Sequence, residues 1–138
     1  MVEVKNVTKR YEGKRTVHAL RGVSFKVEKG EMVAVMGPSG CGKSTLLNLL
    51  GGLDRPSEGT IIIDDVNIST LDDSGLARLR REKIGFVFQF FNLLPTLTAR
   101  ENVELPLHLA GAGRKETVAR AGELLEMVGL KDREDHLP

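Results

Sequence analysis

GPSGCGKST, running from Gly37 through Pro38, Ser39, Gly40, Cys41, Gly42, Lys43 and Ser44 to Thr45, is the stretch whose reading decides the fold. It meets the pattern G-x-x-x-x-G-K-[ST] at Gly37, Gly42, Lys43 and Ser44, and each residue type has a physical task. Glycines let backbone N–H groups turn inward and approach phosphates with no side chain in the way. A helix that starts directly after them aims its dipole and its unpaired N–H groups at the same anion. Lys43 would reach the β and γ phosphates by charge-assisted hydrogen bonds of about 1.5–3 kcal/mol each. Ser44 would place its hydroxyl on Mg²⁺. The plainer reading is a glycine-rich turn in which chance supplied the lysine. Ordinary residue frequencies make such a match, in a chain this size, an event on the order of one in a hundred. The whole run, Gly37 to Thr45, is therefore read as a nucleotide-binding segment.

The flanks supply the context this motif needs. MVAVM, Met32 to Met36, is a continuous apolar run of the kind found in a strand buried on both faces of a parallel sheet. After the loop, Leu46, Leu47, Leu49 and Leu50 recur at helical spacing until Gly51-Gly52 ends the pattern. Upstream, VEVKNV and VSFKV alternate apolar with polar residues and read as half-buried antiparallel strands. Downstream, the turn formers of DRPSEG precede a short strand at TIII, a weak helical pattern spans Leu71 to Glu82, and IGFVF, Ile84 to Phe88, reads as a second buried strand. Thr98 with Glu101 three residues on offers a capping box for a helix interrupted near Pro106. Arg114 to Met127 carries Val118, Ala121, Leu124, Leu125 and Val128 on one expected apolar face, with Gly129 as its stop.

Bulk numbers narrow the function classes. The chain has 138 residues, 41% hydrophobic and 28% charged, with a net charge of +1, which suits one globular domain rather than a disordered or fibrous segment. Near-neutral charge and 4% aromatic residues give a nucleic-acid partner no electrostatic or stacking basis. Cys41 is the single cysteine, so no internal disulfide can form and a reducing compartment is expected. The opening MVEVKNVTKRYEGK lacks an apolar block of signal-peptide length, and no apolar run approaches the roughly 18 residues of a membrane helix. The expectation is a cytoplasmic protein that meets a membrane only through a partner.

Kinases, GTPases and transport ATPases share the glycine-lysine loop, and the surrounding residues separate them. Tyr11 after the first strand, the run GPSGCGKSTLLNLLGGLDRPSEG, and FVFQFFNLLPTLTARENVELPL together resemble the ATP-binding subunits of ABC transporters, with the nearest likeness to the lipoprotein-releasing and macrolide-export type. The resemblance covers essentially the whole chain, and the phrase around Gln89 is far more specific than the phosphate loop. It implies a P-loop α/β core with an antiparallel β-subdomain over residues 1–96 and the start of a helical subdomain over 97–138.

The resemblance also implies roles. An aromatic residue at the place of Tyr11 stacks on adenine; from the sequence alone, Tyr11 could equally be a tyrosine packed on a sheet edge. Gln89 corresponds to a glutamine that reaches Mg²⁺ and the attacking water and lies beside the transmembrane partner. Its position at a strand end suits a ligand contact in an open α/β sheet. Phe90 and Phe91, with Leu93 and Leu94, form an apolar cluster in an expected surface loop, where relatives often carry a second glutamine at the place of Phe90. Implied ligands are ATP with Mg²⁺, held at Ser44 and Gln89. Implied partners are transmembrane permease subunits through the Gln89 loop and a second copy of the intact subunit, with the protein peripheral at the inner face of the membrane.

Ile61-Ile62-Ile63-Asp64-Asp65 imitates the magnesium-holding strand of such proteins. That strand, however, belongs beside the phosphate-loop strand and is followed at once by a catalytic glutamate, whereas IIIDD follows the first helix through Pro56, Ser57 and Gly59. The resemblance makes it an antiparallel β-subdomain strand ending in a turn. It further implies that the signature segment, the true acidic strand and the switch histidine belong beyond Pro138, so that these residues bind ATP without hydrolysing it. Two other readings stay open: a small P-loop kinase, which would need an acceptor site and an arginine-rich lid, and a non-catalytic binding or regulatory fragment. His18, His108 and His136 show no metal-ligand spacing, and Arg78, Arg80, Arg81 and Lys83, with Glu82 among them, read as a solvated helix face.

Overall fold

The computed structural model describes residues 1–138, which fall into two compact units, Met1–Gly85 and Phe86–Pro138. The first unit is built on a four-stranded antiparallel sheet. Its strands are β1 (Val2–Tyr11), β2 (Val17–Val27), β3 (Glu58–Ile63) and β4 (Val66–Asn67), ordered β2-β1-β3-β4. The two alternating stretches thus pair as expected, with Val4 opposite both Phe25 and Ile61. Alternation places Val4, Val7, Leu20, Ile61 and Ile63 on one face, where Leu46 and Leu49 of α1 (Lys43–Leu50) and Leu76 and Leu79 of α2 (Asp73–Lys83) complete a single core. Leu49, Ile61 and Val7 are fully buried, and truncating Leu49 to alanine would cost about 2–5 kcal/mol.

A bulge at Asn6 interrupts β1, with φ at 48° and the Asn6 N–H donating to Ser24 Oγ at 2.8 Å. Gly59 answers it across the ladder. A Cβ there would stand 2.4 Å from the Asn6 carbonyl, and its φ is +88°, so no other residue fits without displacing β1.

Asp64 and Asp65 form the two-residue turn from β3 to β4, with φ of 44° and 66°, the left-handed pair that a tight hairpin of this handedness requires. Asp64 also accepts from the Met1 ammonium at 2.8 Å, and this hydrogen bond and charge hold its carboxyl below the usual aspartate range. IIIDD is therefore an antiparallel strand and hairpin turn, as the resemblance implies.

The expected parallel strands at Met32–Met36 and Ile84–Phe88 are not observed. Neither segment joins a ladder, and Met32 and Val87 are 98% and 97% exposed. A strand buried on both faces needs a hydrogen-bonded neighbour and covering helices, and neither run has a paired neighbour.

In the second unit, α3 (Ala99–Leu109) begins with the expected capping box, in which the Glu101 N–H donates to Thr98 Oγ1 and the Thr98 N–H donates to Glu101 Oε2 at 2.7 Å. Pro106 lies inside that helix. Asn102 fastens the preceding loop: its side-chain amide donates to the Leu94, Leu97 and Thr98 carbonyls, and its Oδ1 accepts from the Leu94 N–H. α4 runs from Arg114 to Met127, as read, but its buried face is Thr117, Ala121 and Leu125. Val118 and Val128 are exposed instead, because the buried stripe follows an i, i+4, i+8 line offset from the expected one. No helix is long and apolar enough to cross a membrane.

Candidate functional site

The phosphate-loop residues leave Met36 and turn through three glycines with positive φ: Gly37 at 155°, Gly40 at 78° and Gly42 at 99°. Gly42 is the N-cap of α1 and has no side chain with which to cap it. The first helical bond runs from the Leu46 N–H to the Gly42 carbonyl at 2.9 Å, which leaves the N–H groups of Lys43, Ser44 and Thr45 at the open end. The Lys43 ammonium folds back over the loop and donates to the carbonyls of Gly37 at 2.8 Å and Pro38 at 2.7 Å, with Cys41 Sγ 3.8 Å away. Ser39, Gly40, Cys41 and Ser44 face solvent.

This loop is seated on the sheet by one close contact. The β1–β2 register steps from Lys9–Leu20 to Arg10–His18, which leaves Ala19 as the bulged residue. Its carbonyl lies against Gly42, where a Cβ would come within 2.5 Å. Two residues along β2, Val17 pairs with Tyr11, the last residue of β1. Tyr11 thus closes the strand rather than sitting in the turn beyond it. At about 3.3 Å per strand residue, the Tyr11 rung is roughly 7 Å from the contact that seats the phosphate loop, a separation that one nucleotide can bridge.

Tyr11 is 41% exposed and not loose. Its hydroxyl donates to Asp54 Oδ2 at 2.9 Å, and the Lys9 ammonium, 4.8 Å from its ring centroid, donates to Asp54 Oδ1 at 2.6 Å. Burial pushes the Asp54 carboxyl up, but hydrogen bonds from Lys9, the Arg55 N–H and the Tyr11 hydroxyl outweigh it, and the carboxyl sits below its usual range. Sequence reasoning missed Asp54 and Lys9. The visible signal was Lys9-x-Tyr11, two strand residues on one face; the turn at Asp54 gave no hint of its partner.

Gln89 lies in the second unit, in an exposed bend before Phe90 and Phe91, which are 78% and 82% exposed. Phe91 and Asn92 carry φ of 22° and 53°, so the chain reverses sharply just after Gln89. Leu93 and Leu94 are half exposed, so all four apolar side chains reach the surface of this loop.

A lysine-closed glycine loop followed by an open helix end, on an antiparallel sheet and helices, defines a P-loop α/β domain. The sequence profile of the family described as "ABC transporter" matches residues 20–138, and the chain belongs to that family as an ATP-binding domain. An uncharacterized ABC transporter ATP-binding protein of Thermotoga maritima is 55% identical, covering 100% of this chain and 59% of the relative. A macrolide export ATP-binding/permease protein of Marinobacter nauticus is 50% identical over 100% of this chain and 22% of its own length. Solved dimers of the ATP-binding cassette MJ0796, one a post-hydrolysis state bound to ADP and Pi, match with TM-score 0.92 and 49% identity, covering 100% of this chain and 62% of theirs. The fold is that of an ABC ATPase cassette, and the chain spans about three fifths of its single-cassette relatives.

Proposed function

We infer that this chain is the nucleotide-binding front of an ABC exporter's ATPase subunit, holding MgATP between Tyr11 and the loop Gly37–Thr45. The observation that supports this reading is the seating of Gly42 on the Ala19 bulge, two strand residues from the Tyr11 rung, so that Tyr11 and the glycine loop lie on one strand pair. The open N–H groups at the start of α1 would accept the phosphates, and Lys43 would exchange the Gly37 and Pro38 carbonyls for the far more negative β and γ oxygens. Bound Mg²⁺ would neutralise phosphate charge, and the exposed Ser44 hydroxyl suits its preference for oxygen ligands.

The partners follow the same reading. Exposed Phe90, Phe91, Leu93 and Leu94 beside Gln89 offer an apolar contact to transmembrane permease subunits, so the protein sits at the inner face of the membrane through them. A second copy of the intact subunit completes the site, and MJ0796, a cassette, is solved as a dimer. In this assignment residues 1–96 form the β-subdomain and P-loop core, and residues 97–138 open the helical subdomain.

These 138 residues bind ATP without turning it over. Hydrolysis needs phosphates held, metal held and a water relieved of a proton. The only paired acids that imitate a metal strand, Asp64 and Asp65, are spent on a hairpin turn and the Met1 ammonium. Phosphate release at saturating MgATP tests this: the 138-residue chain should be no faster than Lys43→Ala. Turnover well above that control, lost in Asp64→Asn or Asp65→Asn, would make IIIDD the metal strand and overturn the assignment.

A further inference from the structure

Asp54 stands at the centre of a network whose geometry has one consequence for the base site. It accepts from Tyr11 Oη at 2.9 Å, Lys9 Nζ at 2.6 Å and the Arg55 N–H at 2.7 Å, and Lys9 Nζ donates again to the Arg55 carbonyl at 2.8 Å. The turn bearing Asp54 is itself fixed. Leu53 N–H donates to the Asn48 carbonyl of α1 at 2.9 Å, and Arg55 reaches Asp73 at 2.8 Å and the Leu71 carbonyl at 3.0 Å. The same helix therefore carries the phosphate loop at its N-terminus and, just past its C-terminus, the carboxylate that holds the Tyr11 hydroxyl.

We propose that Asp54 and Lys9 are positioning residues that hold the Tyr11 ring as a one-sided platform for the nucleotide base, which deepens the reading of Tyr11 as that platform and rests on it. A tyrosine at a strand end, 41% exposed, would otherwise turn about two side-chain torsions; the hydrogen bond to Asp54 fixes its tip. The Lys9 ammonium, 4.8 Å from the centroid, takes one face of the ring by a cation–π contact and leaves the opposite face for a purine. Donation from the phenol to a carboxylate also enriches the ring's π electrons. Because the anchor is α1, platform and phosphate cradle keep a fixed separation, and a nucleotide pays less ordering entropy to meet both.

The test compares a ligand with a base and one without: titration of the whole chain with MgATP and with magnesium tripolyphosphate, which meets only the phosphate loop. Stacking should favour ATP by roughly fivefold to a hundredfold, and Tyr11→Ala should remove that advantage while tripolyphosphate binding stays. Asp54→Ala and Lys9→Met should each cut the ATP advantage by about threefold or more and leave tripolyphosphate affinity within about twofold. If a variant loses both ligands together, its residue is a structural brace only and the proposal fails for it. Unchanged affinity for both ligands overturns it equally. Should Asp54→Ala fail to fold, Tyr11→Phe decides: it keeps the ring and loses only the hydroxyl, and an undiminished ATP advantage would refute the tether. If Tyr11→Ala itself leaves the ATP advantage intact, the base platform is wrong and the positioning proposal falls with it, an outcome distinct from failure of Asp54 or Lys9 alone.

Discussion

The carbonyl of Ala19, bulged out of the β1–β2 ladder, lies 2.5 Å from where a Cβ on Gly42 would stand. Strand and phosphate loop are therefore in contact without any side chain between them. Gly42→Ala should be damaging on two counts, since its φ of +99° is also foreign to L-residues. Strain of this kind costs about 1–3 kcal/mol before the clash is added. We expect a lowered thermal midpoint and weakened MgATP binding, read in one differential scanning experiment with and without nucleotide. A variant as stable and as nucleotide-responsive as the parent would show that the loop is not seated on β2.

Cys41 lies in the loop, exposed, with its sulfur 3.8 Å from the Lys43 ammonium and close to the start of α1. The exposed thiol should be alkylated in the free protein, and MgATP should slow the reaction severalfold; mass spectrometry of the modified peptide gives both rates. Equal rates would count against a phosphate held at that place.

How much of this could be read beforehand depended on how local the determining chemistry was. Gly51-Gly52 ending α1, the Thr98–Glu101 box opening α3 and Gly129 following α4 are decided within a few residues, and each reading matched the structure. The glycine loop was legible for the same reason. Met32–Met36 and Ile84–Phe88 were not, because an apolar run becomes a buried strand only if neighbours pair with it, and pairing is not written in the run itself. Lys9 and Asp54 were invisible as partners because 45 positions separate them and only the β1 register brings them together.

The Glu101 carboxyl is held below its ordinary range, first by its hydrogen bond from the Thr98 N–H and then by the Thr98 side chain. With the folded value depressed, the cap's contribution is complete above the ordinary glutamate value of about 4.3 and is lost as pH falls through the lower folded value. Hydrogen exchange in the first turn of α3 should accelerate from pH 5 to pH 3, beyond the intrinsic pH effect, and Glu101→Gln should flatten that dependence. Thr98→Ala should destabilise the second unit by about 1 kcal/mol at neutral pH. An identical exchange profile in Glu101→Gln would remove the box from the account of this helix end.

Met32, Val33, Val35 and Met36 are 98%, 50%, 40% and 88% exposed, and Val87 is 97% exposed. Such runs, with unpaired backbone groups, invite edge-to-edge association. The 138 residues expressed alone should self-associate in sedimentation velocity, and Val33→Lys with Val87→Lys should reduce it. A monodisperse parent with a sharp thermal transition would mean these runs are covered in solution.

The most direct test of the central claim is the affinity of the chain for MgATP with and without the Lys43 ammonium, measured by calorimetric titration. Charge-assisted contacts to the triphosphate worth about 1.5–3 kcal/mol predict that Lys43→Ala weakens binding by roughly tenfold to more than a hundredfold, with the thermal midpoint in the absence of nucleotide nearly unchanged. Equal affinity in parent and Lys43→Ala would contradict the assignment of Gly37–Thr45 as the phosphate site.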